Sequence, residues 1–293
     1  HYRSHSFPTR RSSDLKKPYL TYHRVSADGE LIQSEEIDIP RPVMMHDWNI
    51  TRNYVIFMDL PLVFDLDQAV SGSDPFGFRP ECGARLGVMP RDGSNKDIKW
   101  IDINPCFVFH PMNAYEEDNK IILHVCRQNK AMVGGMDEIY GGKDTTGKLW
   151  KWTIDLDAET CKEEQIDDAA CDFARVDDRL TGLKAKNGYA MAIDENAKTL
   201  TFGQFLYKFN LEKNTRTDHD LGDNVFGGEP VFVPKSKDSS EEEGWVMAIV
   251  FDDNIKKSKL IIVDVENFDK KPVCEVILPQ RVPFGAHGSW LSN

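Results

Sequence analysis

The sequence predicts an all-β chain of the β-propeller type, and two observations carry that expectation. From Lys17 onward, short apolar runs are broken by polar turns, with few stretches of helical period. One hairpin design also recurs: Tyr22, Met89, Ile154, Phe209 and Val263, taken as equivalent points, are separated by 67, 65, 55 and 54 residues. A pair of packed sandwiches would not hold so steady a period, whereas successive propeller blades would. A chain of 293 residues can form such an architecture as one domain.

In chain order, the opening HYRSHSFPTRRSSDL (1–15) is polar and aperiodic and lacks the apolar stretch of a secretory signal. It is expected to be a non-native or disordered tail, its SFPTRRSSDL portion resembling translated adapter sequence, so His1 and His5 are poor site candidates. The propeller domain is expected over residues 16–293. YLTYHRV (19–25), the turn SADGE and LIQSEEIDI make the first hairpin, with Asp28-Gly29 supplying the turn. The design returns as LGVMP with IKWIDI, LWKWTIDL with DAETCK, LYKFNL with EKNT, and KLIIVDV with VCEVILP.

Between the hairpins lie NYVIFMDLPLVF (53–64), KIILHVCR (120–127), YAMAI (189–193) and WVMAIVFD (245–252). These less alternating runs read as strands buried on both faces. Two buried inner strands and one exposed hairpin per 55 to 65 residues make a blade, and five such units are visible. The acidic insertion SKDSSEEEG (236–244) reads as a solvated loop.

Net charge is −12, and nucleic acid is excluded as an expected partner. No run of about 18 apolar residues occurs, so a soluble, cytoplasmic protein is expected, with contact at a membrane surface left open. The six cysteines form no CxxC pair and read as mostly buried, reduced thiols, with extracellular disulfides left open by the even count.

The chemistry gathers on histidines. In FVFHPMNAYEE (107–117), alternation places Phe107 and Phe109 on one face and Val108 and His110 on the other. Pro111 cannot donate to a ladder, so pairing is expected to stop there and leave His110 at a strand mouth. His46 in PVMMHDW and His287 in PFGAHGSW also interrupt apolar or glycine-containing stretches, and Gly285 and Gly288 would permit close backbone approach. His124 in KIILHVCR reads as core, His219 in TRTDHDLG as exposed, and His23 as part of an outer hairpin. Inner propeller strands converge on an axis, so distant histidines can meet there, and three imidazoles would suit iron, copper, nickel or zinc. Glu229 in VFGGEPVFVP is an acid in a buried setting that needs a partner, which a ligand histidine would supply.

The stretches PYLTYHRVSADGEL, MMHDWNITRNYVIFMDLPL, RPECGARLGVMPR, PCFVFHPMNAYEE, FGGEPVFVP and RVPFGAHGSW resemble the carotenoid cleavage oxygenase family, closest to its lignostilbene dioxygenase branch. The resemblance implies a seven-bladed propeller holding non-haem Fe(II) by four histidines, with glutamates hydrogen-bonded behind them. It also implies O2-dependent cleavage of a carbon–carbon double bond in an apolar conjugated substrate, a carotenoid, apocarotenoid or stilbene, to two carbonyl products. His46, His110 and His287 fall on the second, third and fourth ligand positions, and Glu229 on a supporting glutamate.

The family's first ligand and first two blades lie upstream of PYLTY, where this chain has only its opening tail, so an incomplete, impaired site is expected. In CDFARVD (171–177), Asp172 stands where the family has a glutamate; one methylene shorter, it either misses its histidine or needs a backbone adjustment. Two other readings are a non-catalytic propeller retaining remnant ligands and a lactonase-like metal enzyme. The latter should show clustered Asp, Asn and Glu for a harder cation.

Overall fold

The computed structural model describes residues 16–131, 143–197, 201–285 and 287–291; the expected tail at 1–15 lies outside them. The first hairpin forms as expected. β1 (Leu20–Val25) pairs antiparallel with β2 (Leu31–Ile37), and Gly29 turns the chain at φ +88°, where a side chain would be strained. The two stand alone as a two-stranded sheet, so the first unit shows only its outer hairpin.

Four larger antiparallel sheets follow, each ordered along the chain. The first joins β3 (Asn49–Ile50) and β4 (Tyr54–Asp59) to β7 (Ala84–Pro90) and β8 (Lys99–Ile103). Between β4 and β7 lie β5 (Leu62–Phe64), the short helix α1 (Leu66–Ser71), capped by Asp65, and β6 (Phe76–Phe78). The second sheet contains β9 (Phe107–Glu117), β10 (Lys120–Gln128), β11 (Lys148–Asp155) and β12 (Thr160–Gln165). The third contains β13 (Cys171–Arg175), β14 (Asn187–Ile193), β15 (Phe202–Asn210) and β16 (Thr215–Asp220). In the fourth, β17 (Val225–Phe226) and β18 (Val231–Pro234) share β19 (Gly244–Asp252), followed by β20 (Lys257–Asp264) and β21 (Cys274–Ile277).

The runs expected to be buried on both faces become β4, β10, β14 and β19, but the 53–64 run breaks after β4 into β5 of a separate sheet, and β19 alternates instead, with Ile249 exposed; each outer hairpin pairs as its alternation requires. The innermost strands of consecutive sheets lie side by side, β3 by β9 and β9 by β13. One apolar cluster runs through all four sheets, from Ile56 and Leu86 through Phe107 and Trp152 to Tyr189 and Val263. A second fills the space between the second and third sheets, and a third seats the β1–β2 hairpin on β4 and β7.

Acidic side chains tie neighbouring sheets together. Glu116 on β9 accepts from Thr51 Oγ1 and from the Asn53 backbone N–H at 2.8 Å, just ahead of β4. Glu241 accepts from the backbone N–H groups of Lys186 and Asn187 at 2.9 Å, at the corresponding entry to β14. The 236–244 insertion is therefore not merely solvated: it binds orphan backbone donors of the neighbouring sheet. His219 corrects another expectation. It is 1% exposed and its Nδ1 lies 2.9 Å from the Phe268 carbonyl, because β16 turns this one side chain toward the next sheet. All six cysteines are free, with Cys106, Cys126 and Cys171 fully buried and Cys274 exposed.

Candidate metal centre

β9 places the first of the three histidines. Its pairing with β10 does not stop at Pro111 as expected; it continues to Glu117. Pro111 sits opposite Val125 between two register shifts, each adding one residue to β9, so the ladder bends around the missing donor. His110 is held at this bend, 6% exposed. His46 lies ahead of β3, on a segment fixed to β5 by hydrogen bonds from Met44 N–H to the Leu62 carbonyl (2.8 Å) and from Phe64 N–H to the Pro42 carbonyl (2.9 Å). His287 stands in the irregular segment after β21, half-exposed.

These three residues, from three distant parts of the sequence, converge. One ligand nitrogen from each lies within 4.8 Å of the others. The His110 ring centroid is 5.1 Å from that of His46 and 4.9 Å from that of His287, both edge-on. Among the described residues this is the one cluster of potential metal ligands, and it contains no carboxylate.

Two carboxylates orient the rings. Asp172 Oδ1 is 2.9 Å from His110 Nδ1, and Glu229 Oε1 is 2.9 Å from His287 Nδ1. A carboxylate on Nδ1 fixes the proton there and leaves Nε2 as the donor nitrogen, which is the arrangement a metal-binding imidazole needs. The donor set therefore fits a borderline divalent metal such as Fe(II).

The shorter Asp172 does reach its histidine, from a bulged stretch of backbone. Phe173, next in the chain, adopts φ +55°, and β13 carries an extra residue between Asp172 and Arg175 relative to β14. An aromatic residue in this region is strained, and such strain persists where the surroundings over-determine it. Here the Phe173 N–H donates to Asp172 Oδ1 at 2.8 Å, and its ring packs 4.5 Å from His110 and 5.6 Å from His287. Glu229 is brought in by Gly228, where a Cβ would overlap the Ile249 carbonyl of β19. Gly285 and Gly288, by contrast, have open space where a Cβ would sit and no left-handed φ, so neither provides the close approach expected of them.

Charge follows the same pairing. Burial opposes the charged form of His110, yet the charge and hydrogen bond of Asp172, with Asp47 and Glu229 beyond, push its pKa up. Burial raises Glu229, but the His287 bond, Arg175 and the Gly288 N–H outweigh it and hold the carboxyl below its ordinary range. A cavity of about 520 Å3 opens beside Asp47, His110, Phe173, Arg175 and Glu229. A second, of about 260 Å3, has apolar walls that include Phe202, Met247, Ile249 and Phe251, and it also reaches His287.

His124 is core, as expected, at 1% exposure. Sequence reasoning missed Phe173 and Arg175; the available signal was an arginine at the end of an otherwise buried strand.

Blade-like sheets around clustered inner strands, with three imidazoles between them of which two are supported by carboxylates, define a propeller-type protein with a candidate metal centre. The chain belongs to the carotenoid cleavage oxygenase family: the family model described as retinal pigment epithelial membrane protein matches residues 9–292. It is 34% identical to carotenoid 9,10(9',10')-cleavage dioxygenase 1 of Pisum sativum over 94% of this chain and 54% of that protein. The crystal structure of Pseudomonas brassicacearum lignostilbene dioxygenase superposes with a TM-score of 0.83 at 26% identity, over 93% of this chain and 60% of that one. A cobalt-substituted apocarotenoid oxygenase from Synechocystis gives 0.83 at 27% identity, over 93% and 58%. The chain thus spans about half the length of the curated relatives it matches. No helix among the described residues is long and apolar enough to cross a membrane.

Proposed function

We propose that this chain carries the metal-binding core of a non-haem Fe(II) dioxygenase. The reaction would use O2 to cleave a carbon–carbon double bond of a carotenoid, apocarotenoid or stilbene, giving two carbonyl products. The observation that carries the reading is the donor set: three imidazoles within 4.8 Å, two of them turned by carboxylates on Nδ1. His46, His110 and His287 are assigned as ligands, Asp172 as the support of His110, and Glu229 as the support of His287.

When bound, Fe(II) would supply the activation of O2. The chain's own residues hold the surroundings. With no carboxylate among the ligands, Asp172 and Glu229 balance the charge of the centre from behind the rings. Phe109 packs against His46 and Phe173 against His110, and the Phe202, Met247 and Phe251 wall offers apolar surface to an apolar substrate. The reading requires no general acid or base.

Among the described residues three imidazoles converge of the four that the resemblance implies, so weak Fe(II) retention and impaired turnover are expected of this chain. Iron quantification on the purified chain, and O2 uptake with a stilbene or an apocarotenoid with and without added Fe(II), test this. Expected are sub-stoichiometric iron, saturable uptake of added metal that His110→Ala abolishes, and any O2 consumption dependent on both Fe(II) and substrate. Near-stoichiometric iron in the purified chain would refute weak retention. Failure to take up added metal would refute the centre and favour a propeller with remnant ligands.

A further inference from the structure

His110 and His287 are anchored very differently. His110 lies within the ladder of β9, whereas His287 lies in a segment without regular structure. Between residues 283 and 291 the hydrogen bonds among the described residues all end on two side chains, Glu229 and Arg175. Glu229 holds the His287 ring through Oε1 and the Gly288 N–H through Oε2, at 2.7 Å. Arg175 closes the circuit from the other side. Its Nη1 donates to the Gly288 carbonyl and lies 3.4 Å from Glu229 Oε2, while its Nη2 meets both Asp178 oxygens at 2.9 and 3.0 Å.

We propose that Arg175 is a positioning residue for the third ligand: it clips the His287 segment to β13 through the Gly288 peptide and the Glu229 carboxylate. The inference rests on the metal-centre reading above. The simpler account, an Arg175–Asp178 ion pair that serves only stability, does not explain the geometry. The Asp178 side chain is 54% exposed, and an exposed pair contributes about 0–1 kcal/mol. Arg175 is nevertheless only 19% exposed, and what justifies burying it is the Gly288 carbonyl and Glu229. β13 would then serve both sides of the centre, with Asp172 holding His110 and Arg175, three residues on, holding the His287 segment. The bulge at Phe173 sets the spacing between them. The planar fork meets Asp178 through Nη2 and Gly288 through Nη1, a division between two nitrogens that the single nitrogen of a lysine does not reproduce.

The test uses the full chain, with Arg175→Met and Arg175→Lys beside wild type. It measures hydrogen exchange of the amides around Gly288 without metal, Co(II) affinity by titration, and the thermal midpoint. For Arg175→Met we expect exchange near Gly288 to quicken about tenfold with the sheet amides unchanged, and Co(II) affinity to fall by about 10–100-fold. Arg175→Lys should recover only part of either. Wild-type exchange at Gly288 in Arg175→Met would overturn the clip. Loosened exchange near Gly288 with unchanged Co(II) affinity would overturn the ligand-positioning role, and exchange loosened equally throughout the chain with a lowered midpoint would overturn both. If wild type takes up no Co(II), the metal reading falls and with it Arg175's role as a ligand-positioning residue, while exchange still decides whether the clip exists.

Discussion

His110 and His124 sit on adjacent strands of one sheet, 6% and 1% exposed, and their chemistry is opposite. His110 has Asp172 on Nδ1 and two other imidazoles at its edge, and its pKa is pushed up. Among the described residues His124 has no hydrogen-bond partner for either ring nitrogen; it stacks near Tyr115 and is driven down to about 4 by burial and by Lys151. Burial alone therefore does not make a site; the partner supplied from another sheet does. The largest expected effect tests that contrast. His110→Ala should weaken Co(II) binding more than ~100-fold. It should also cost roughly 3 kcal/mol of stability, because Asp172, 1% exposed, loses its imidazole. His124→Ala should cost about 2–3 kcal/mol as a cavity and leave Co(II) affinity unchanged. Equal losses of metal affinity in titrations of the two variants would break the contrast.

The same two strands show what the sequence makes legible. Alternation and apolar runs exposed each outer hairpin and the strands β4, β9, β10, β14 and β19, because period and burial are local properties, whereas the short inner strands β3, β13, β17 and β18 carried no such pattern. The convergence of His46, His110 and His287 was visible through the repeat and the family resemblance. What stayed hidden depends on neighbours far along the chain. Pro111 was expected to end β9, yet the bulges that absorb it are a property of the β9–β10 pairing. His219 read as exposed because its sequence neighbours are polar, whereas the Phe268 carbonyl that holds it lies in the next sheet. The reach of Asp172 depends on a left-handed Phe173, which no propensity would suggest.

The next effect in size is a pH dependence that belongs to His124. Its folded-state pKa of about 4 lies below the 6.5 of an unperturbed imidazole, so the unfolded chain binds more protons between those values. Stability from this group is complete above about pH 6.5 and is lost as pH falls toward 4, by roughly 3 kcal/mol at most. Urea unfolding between pH 4.5 and 7.5 should show that slope, and His124→Leu should remove it. The substitution also removes two unsatisfied nitrogens, so it should stabilise the chain by about 1 kcal/mol at pH 7.5. An unchanged slope in His124→Leu would mean that some other group titrates in this window.

The smallest effect examines how the paired histidine obtained its carboxylate. If Asp172 reaches His110 because Phe173 accepts φ +55°, the strain at Phe173 should be measurable. Both Phe173→Ala and Phe173→Gly lose the ring packed against His110 and Phe202, at a cost of about 3 kcal/mol. Alanine keeps the strained φ, whereas glycine relieves it. Within an ordinary strand glycine is less stable than alanine by about 0.5–1 kcal/mol. At position 173 the order should invert, with Phe173→Gly more stable than Phe173→Ala by about 1 kcal/mol in urea unfolding. The ordinary order would show that the bulge carries no strain and that Asp172 meets His110 without it.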